Sequence, residues 1–357
     1  MSEMMMRGFG MPTVGKTGWL SKPRPTAAPL GAILRPRWVA PCTSDVHTMH
    51  GGSGPKENLI LGHEAIGEVI EVGALVTKFK AGDLVVVPST TPDWLALGSQ
   101  KGTSNAHDVG TTASFKFLTV QDGVFAEFFH VNQADANLAL LPGGISPEAA
   151  LMTVDMMSTG FHGAELADIG FGDTVVVLGI GPVGLMAVAA AALRGAGQII
   201  AVGTRPSCVE AAHFYGATEV LSYKDENLVK QVKKITGGGA DKVIIASDEA
   251  SSFGQAVAMC RAMGTVVNLS FFDPKDMLTM TAGAWGLGMG NKDIRGGFCP
   301  GGALRIEKML ALIRHGRVDP TRLITHRFQG FEAIEEAFLL MARKDSDLIK
   351  PIVAIQW

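Results

Sequence analysis

Cysteine is scarce in this chain: there are four in 357 residues, Cys42, Cys208, Cys260 and Cys299, and none shows C-x-x-C spacing. That distribution argues against a disulfide framework and fits a reducing compartment, with at most one cysteine reading as a ligand. Charge is sparse too. Only 18% of residues are charged, the formal net charge is -3, and no run of five or more Lys or Arg occurs. Nucleic acid and anionic membrane are therefore poor main partners, and small molecules become the expected ones. Residues 1–10 carry one arginine and no apolar stretch suited to a signal peptide, and Ile355-Gln356-Trp357 matches no address motif. Cytoplasm is the expected location.

A hydrophobic content of 47% over this length suffices for a large core and two domains. One uncharged run, residues 175–193, has the length of a membrane span. Its composition points elsewhere. Val175 to Leu178 is short and β-branched, Gly179 to Gly184 with Pro182 is a turn, and the Ala-rich stretch from Leu185 suits a buried helix.

That turn reads Gly179-x-Gly181-x-x-Gly184, with Pro182 and Val183 inside it. In a dinucleotide-binding fold the first glycine permits the tight turn, the second lets backbone approach a pyrophosphate, and the third allows helix to press on strand. The context supports it: strands are expected over 198–202, 218–222, 241–246 and 264–269, with helices over 208–215 and 226–236. An acid at the end of the second strand would accept the ribose 2′-hydroxyl of NAD. Gly203 stands there instead, followed by Thr204 and Arg205, which favours the 2′-phosphate of NADP(H). Tyr223, beyond the third strand, reads equally as an adenine contact or as a plain strand-end aromatic.

Upstream lie Pro41-Cys42-Thr43-Ser44-Asp45-Val46-His47, Gly62-His63-Glu64-Ala65 and Asp155, and downstream Lys350-Pro351. With residues 82–88 and the nucleotide turn, these segments resemble the medium-chain zinc-dependent alcohol dehydrogenases over nearly the whole chain. The resemblance is nearest to the NADP-dependent secondary alcohol dehydrogenases of anaerobic bacteria and protozoa. It implies a catalytic Zn²⁺ held by Cys42, His63 and Asp155, with Glu64 as a further ligand or as an anion paired with an arginine. Asp155 departs from the wider family, which has a cysteine there; a thiolate, imidazole and carboxylate make a harder set than Cys₂His.

The implied chemistry is hydride transfer between NADP(H) and a short secondary alcohol or its ketone, the cation lowering the pKa of the alcohol oxygen. By resemblance Ser44 contacts the substrate oxygen, His47 carries the proton toward solvent through the cofactor ribose, and Asp45 fixes the His63 tautomer from behind. Lys350 joins the cofactor contacts, and Thr90, Trp94 and Phe115 line a small apolar pocket. Residues 91–110 lack the four cysteines of a structural zinc lobe, so one zinc per chain is expected. His107 in that stretch has no partner at ligand spacing.

The expected fold is α/β: a GroES-like, β-rich catalytic domain from residues 1–157 and 300–357 around a doubly wound Rossmann domain at 158–299. The active site is expected in a cleft that closes to exclude water, and the resemblance implies a homotetramer, with residues 285–290 as a subunit contact. Two rivals stand beside this reading: a zinc-free quinone or enone reductase, and a non-catalytic NADPH-binding protein.

Overall fold

In the computed structural model the described residues are all but 1–3, 53, 55, 101, 103–115 and 274. They form two compact units, Thr159–Phe298 and a second made of Met1–Ser158 with Cys299–Trp357.

The unit Thr159–Phe298 is built on a six-stranded sheet in the spatial order Glu219–Leu221, Gln198–Val202, Thr174–Leu178, Ala240–Ile245, Cys260–Asn268, Asp293–Gly296. Every neighbouring pair is parallel. Numbered along the unit, the order is 3-2-1-4-5-6, the doubly wound dinucleotide-binding arrangement. Buried on both faces, its strands read as near-continuous apolar runs. Val176, Leu178, Ile200, Val202, Val243, Ile245 and Val266 form the core with Val232, Val257 and Met259 from the covering helices. Each such side chain contributes roughly 1.5–3 kcal/mol on burial.

The uncharged run resolves into strand Thr174–Leu178 and helix Pro182–Leu193. Twelve helical residues reach about 18 Å, well short of a bilayer core. Among the described residues no helix is long and apolar enough to cross a membrane. The helix starts three residues before the expected Leu185, because Pro182 takes its first position after the extended Gly181, where a missing N–H costs nothing.

The other unit is mostly antiparallel. One sheet orders Ile324–Gln329, Lys350–Ala354, Ala32–Val39, Ala65–Val72, Leu84–Val87 and Ala139–Leu140, with Phe129–Val131 also on Ala32–Val39. A three-stranded sheet orders Lys16–Pro23, Met5–Thr13 and Leu59–Ile60. Phe9, Phe117, Phe125, Phe129 and Phe338 fill the shared core, Phe9 meeting Trp19 and Phe338 edge-on at 5.6 and 5.5 Å between ring centroids.

Register in this sheet positions the site. Val39 pairs with Ala65 and Val353 with Val39, both antiparallel. The end of the first strand, just before Cys42, thus lies beside the start of the second, just after Glu64. Running the third strand back in the same register places Lys350 level with Cys42.

Candidate metal centre

Cys42 caps helix Thr43–Met49, and the Asp45 carboxylate reaches back from its third position to the Cys42 N–H at 2.9 Å. The same carboxylate accepts from the Gly62 N–H at 3.0 Å and lies 3.1 Å from His63 Nδ1. Asp45 is fully buried. One side chain therefore ties the cysteine segment to the histidine segment and directs the His63 Nε2 lone pair outward. Gly62 makes the second segment turn: its φ is +91°, and a β-carbon there would collide with the Phe125 ring.

Asp155 arrives on a π-helical stretch, Thr153–Met157, between helices Pro147–Leu151 and Ser158–Ala167. Its Oδ2 lies 3.3 Å from His63 Nε2 and 3.7 Å from Cys42 Sγ. Glu64 Oε1 is 3.9 Å from His63 Nε2. The ligand atoms of Cys42, His63, Glu64 and Asp155 all fall within 4.8 Å of one another, the one such group of three or more among the described residues. Ser44 Oγ stands 3.2 Å from His63 Nε2, beside these atoms.

The donor set fits a divalent transition metal: a thiolate, an imidazole whose other nitrogen is held by a carboxylate, and two more carboxylates. A buried acceptor also calls for a cation. Glu64 is fully buried, and its Oε2 has no hydrogen-bond partner among the described residues.

Electrostatics follow from burial and crowding. Burial pushes the His63 imidazole down, but Asp45 and Asp155 outweigh it and hold it well above the ordinary histidine value. Burial pushes the Glu64 carboxyl up to about 7, with Lys350 pulling it back and Asp155 pushing it further up. Burial lowers Lys350, yet Glu64 and Cys42 more than restore it, and its ammonium stays charged above the ordinary lysine range.

Lys350 bears on two expectations. It is expected among the cofactor contacts, and its fully buried ammonium donates to Glu64 Oε1 at 2.6 Å. The Glu64 anion is paired with a lysine where an arginine is expected. Nothing in a Lys-Pro dipeptide signals a buried ammonium; the strand register does.

The pocket residues are placed as follows. The Thr90 hydroxyl donates to the Cys299 carbonyl at 2.9 Å and is buried. The Trp94 indole donates to Asn137 at 3.0 Å and lines a groove of about 200 Å³ with Leu30, Leu75, Leu95 and Ala136, none of them in the ligand group. Phe115 and His107 lie outside the described residues. Ser44 and His47 share one face of their helix, three positions apart. A β-carbon on Gly52 would collide with the His47 ring, so Gly52 leaves the imidazole its place.

At the nucleotide turn Gly179 has φ +90°, and a β-carbon on Gly184 would overlap the Gly179 carbonyl. The backbone thus forms the bare cradle that a pyrophosphate requires. A β-carbon on Gly181 would lie 3.9 Å from Arg205 Nη2, which puts that guanidinium over the turn. Gly203 and Thr204 follow strand Gln198–Val202, and Arg205 caps helix Pro206–Phe214. Tyr223 is exposed just past Glu219–Leu221.

Comparison with known proteins bears on both units. A family model described as an alcohol dehydrogenase GroES-like domain matches residues 29–142, and one described as a zinc-binding dehydrogenase matches residues 182–315. The chain is 54% identical to an NADP-dependent isopropanol dehydrogenase of Thermoanaerobacter brockii, over 98% of this chain and 100% of that protein. It is 49% identical to the enzyme of the same name from Entamoeba histolytica, over 99% and 96%. Among solved structures, alcohol dehydrogenase TADH from Thermus sp. ATN1 matches at TM-score 0.83 and 28% identity, over 98% of this chain and 100% of that one. A zinc-dependent alcohol dehydrogenase 2 of Streptococcus pneumonia matches at TM-score 0.88 and 26% identity, over 99% of both.

Proposed function

The chain belongs to the zinc-binding alcohol dehydrogenases with a GroES-like domain, and from that premise we propose that it moves a hydride reversibly between NADP(H) and short secondary alcohols or their ketones. The observation that carries this is the convergence of Cys42, His63, Glu64 and Asp155 in a chain that also has the bare glycine turn under Arg205. Cys42, His63 and Asp155 would hold the Zn²⁺, with Glu64 able to join them. Zinc bound there supplies positive charge that acidifies an alcohol and stabilises the oxygen of a ketone as it becomes negative.

The chain's own groups do the rest. Ser44 accepts the proton of the substrate hydroxyl, and His47, on the same helix face, passes it on. Asp45 holds His63 in the tautomer that presents Nε2. The Gly179 to Gly184 backbone seats the pyrophosphate at the helix N-terminus, and Gly203, Thr204 and Arg205 receive the 2′-phosphate, with Tyr223 against the adenine.

We assign one zinc per chain, because residues 91–110 contain no cysteine and Cys208, Cys260 and Cys299 are buried singly. A homotetramer is supported by strand Asp293–Gly296, which ends its sheet with all four residues exposed, and by the exposed Met277, Leu287 and Met289 nearby in sequence. Cytoplasm remains the proposed location. The small apolar pocket remains part of the proposal.

The test is NADPH oxidation with acetone or 2-butanone, run beside NADH, before and after chelation and zinc return. The expected result is turnover that prefers NADPH, disappears on chelation and returns with zinc. Preference for NADH would refute the reading of Gly203 to Arg205. Turnover indifferent to metal removal would favour the zinc-free reductase, and tight NADPH binding without turnover the non-catalytic binder.

A further inference from the structure

Asp155 reaches the ligand group from an irregular piece of helix, and what keeps that piece irregular is visible. In the π-turn the Met157 N–H bonds the Met152 carbonyl, five residues back, at 3.0 Å. The extra residue changes the direction of every side chain it contains: one residue in an α-helix is about 100° of rotation, enough to swing Asp155 off His63 and Cys42. A π-turn also displaces carbonyls from the helical ladder, and such groups need partners when buried. Here each has one. The Ser158 hydroxyl donates across the turn to the Thr153 carbonyl at 2.7 Å, the Ser89 N–H to the Val154 carbonyl at 3.1 Å, and Arg305 Nη2 to the Ser158 carbonyl at 2.6 Å.

Ser158 is fully buried and Arg305 is 9% exposed, an unusual place for a guanidinium unless it holds something. Neither belongs to the ligand group. Arg305 comes from helix Ala303–Arg314, nearly 150 residues later in the chain, so the downstream segment of this unit fixes the turn from outside.

We propose that Ser158 and Arg305 are positioning residues for the metal ligand Asp155: together they lock the π-turn that aims its carboxylate at Cys42 and His63. The inference rests on the reading of these residues as a zinc site. Without the Ser158 hydroxyl the Thr153 carbonyl loses that bond in a dry place, and the turn gains a reason to relax toward α-helix, taking Asp155 away.

The experiment uses the full-length chain and compares the parent with Ser158→Ala, Asp155→Ala and the double variant. Zinc affinity is read by competition with a chromogenic chelator, ligand geometry by the visible spectrum of the Co²⁺-loaded protein, and folding by the thermal midpoint of the metal-free form. Ser158→Ala is expected to weaken zinc about tenfold and alter the cobalt bands, with the metal-free midpoint nearly unchanged. Because the effect runs through Asp155, it should vanish in the Asp155→Ala background. Arg305→Lys, which keeps the charge but loses the guanidinium geometry, should weaken zinc in the same direction.

Zinc affinity of Ser158→Ala within twofold of the parent would overturn the proposal, as would an equal loss in the Asp155→Ala background. The metal reading fails separately, if Asp155→Ala and Cys42→Ala both bind zinc as the parent does.

Discussion

The Lys350 ammonium donates to Glu64 Oε1 over 2.6 Å with both side chains fully excluded from solvent, while Glu64 Oε2 has no hydrogen-bond partner among the described residues. Glu64 is thus balanced by a lysine at Oε1, the same oxygen that lies 3.9 Å from His63 Nε2. A buried pair of this kind is costly to break from one side, because the remaining charge has nowhere to go.

Lys350→Met should therefore destabilise the metal-free protein by about 3–5 kcal/mol near pH 8. The folded Glu64 carboxyl already sits at about 7, above its unfolded value of 4.5. The folded state therefore holds a proton that the unfolded state releases, and Glu64 costs stability as pH rises through that window. Removing Lys350 lifts the carboxyl further, so the penalty of the variant should shrink toward pH 5. Urea denaturation at the two pH values reads it; an equal loss at both would show that Glu64 is not the group left uncompensated.

Asp45→Asn should weaken zinc by roughly 10- to 100-fold with little change in the helix Thr43–Met49. An amide keeps the size but offers one acceptor oxygen for the three groups that Asp45 now holds, Cys42 N–H, Gly62 N–H and His63 Nδ1. Chelator competition measures the affinity. A variant that binds zinc as tightly as the parent would remove Asp45 from the site.

Arg205→Gln should lower NADPH affinity by about 10- to 100-fold, the range of a lost charge-assisted hydrogen bond, and leave NADH affinity nearly unchanged. The guanidinium lies over Gly181, where the phosphates are expected, and NADH has no 2′-phosphate to lose. Titration of reduced-nicotinamide fluorescence with both cofactors decides it; parallel losses for the two would place Arg205 on the pyrophosphate instead.

Zinc affinity should climb with pH and keep climbing above neutrality. The metal needs the His63 Nε2 lone pair, and Asp45 and Asp155 hold the imidazole proton above the ordinary histidine value despite burial. The ion therefore displaces a proton from His63 over a wider range than an exposed histidine would impose. Calorimetry in buffers of different ionisation enthalpy counts the protons released. Affinity that is flat from pH 6 to 8 would contradict this.

Much of the nucleotide unit was legible before any coordinates. Strand Gln198–Val202 falls on its expected bounds, and Thr174–Leu178 and Glu219–Leu221 lie within a residue or so of theirs. Parallel strands buried on both faces announce themselves as short apolar runs, and the glycines have one steric reason each. The four members of the ligand group were legible as one set through the family resemblance, while residue types and spacing alone left them at separate places.

What the sequence by itself determined is local: the glycine cradle, the missing acid at Gly203, the Cys42 segment, the His63-Glu64 pair, and a single candidate thiolate. These follow from backbone sterics and donor chemistry, which neighbouring residues suffice to specify. What only the tertiary structure decided is long-range: the pairing of Lys350 with Glu64, the triple grip of Asp45, the engagement of Thr90 with Cys299, and the π-turn of Asp155 held by Ser158 and Arg305. Each joins segments whose proximity is set by strand register and helix packing, and side-chain burial, which assigns a lysine to a carboxylate instead of to solvent, exists only once those segments have met.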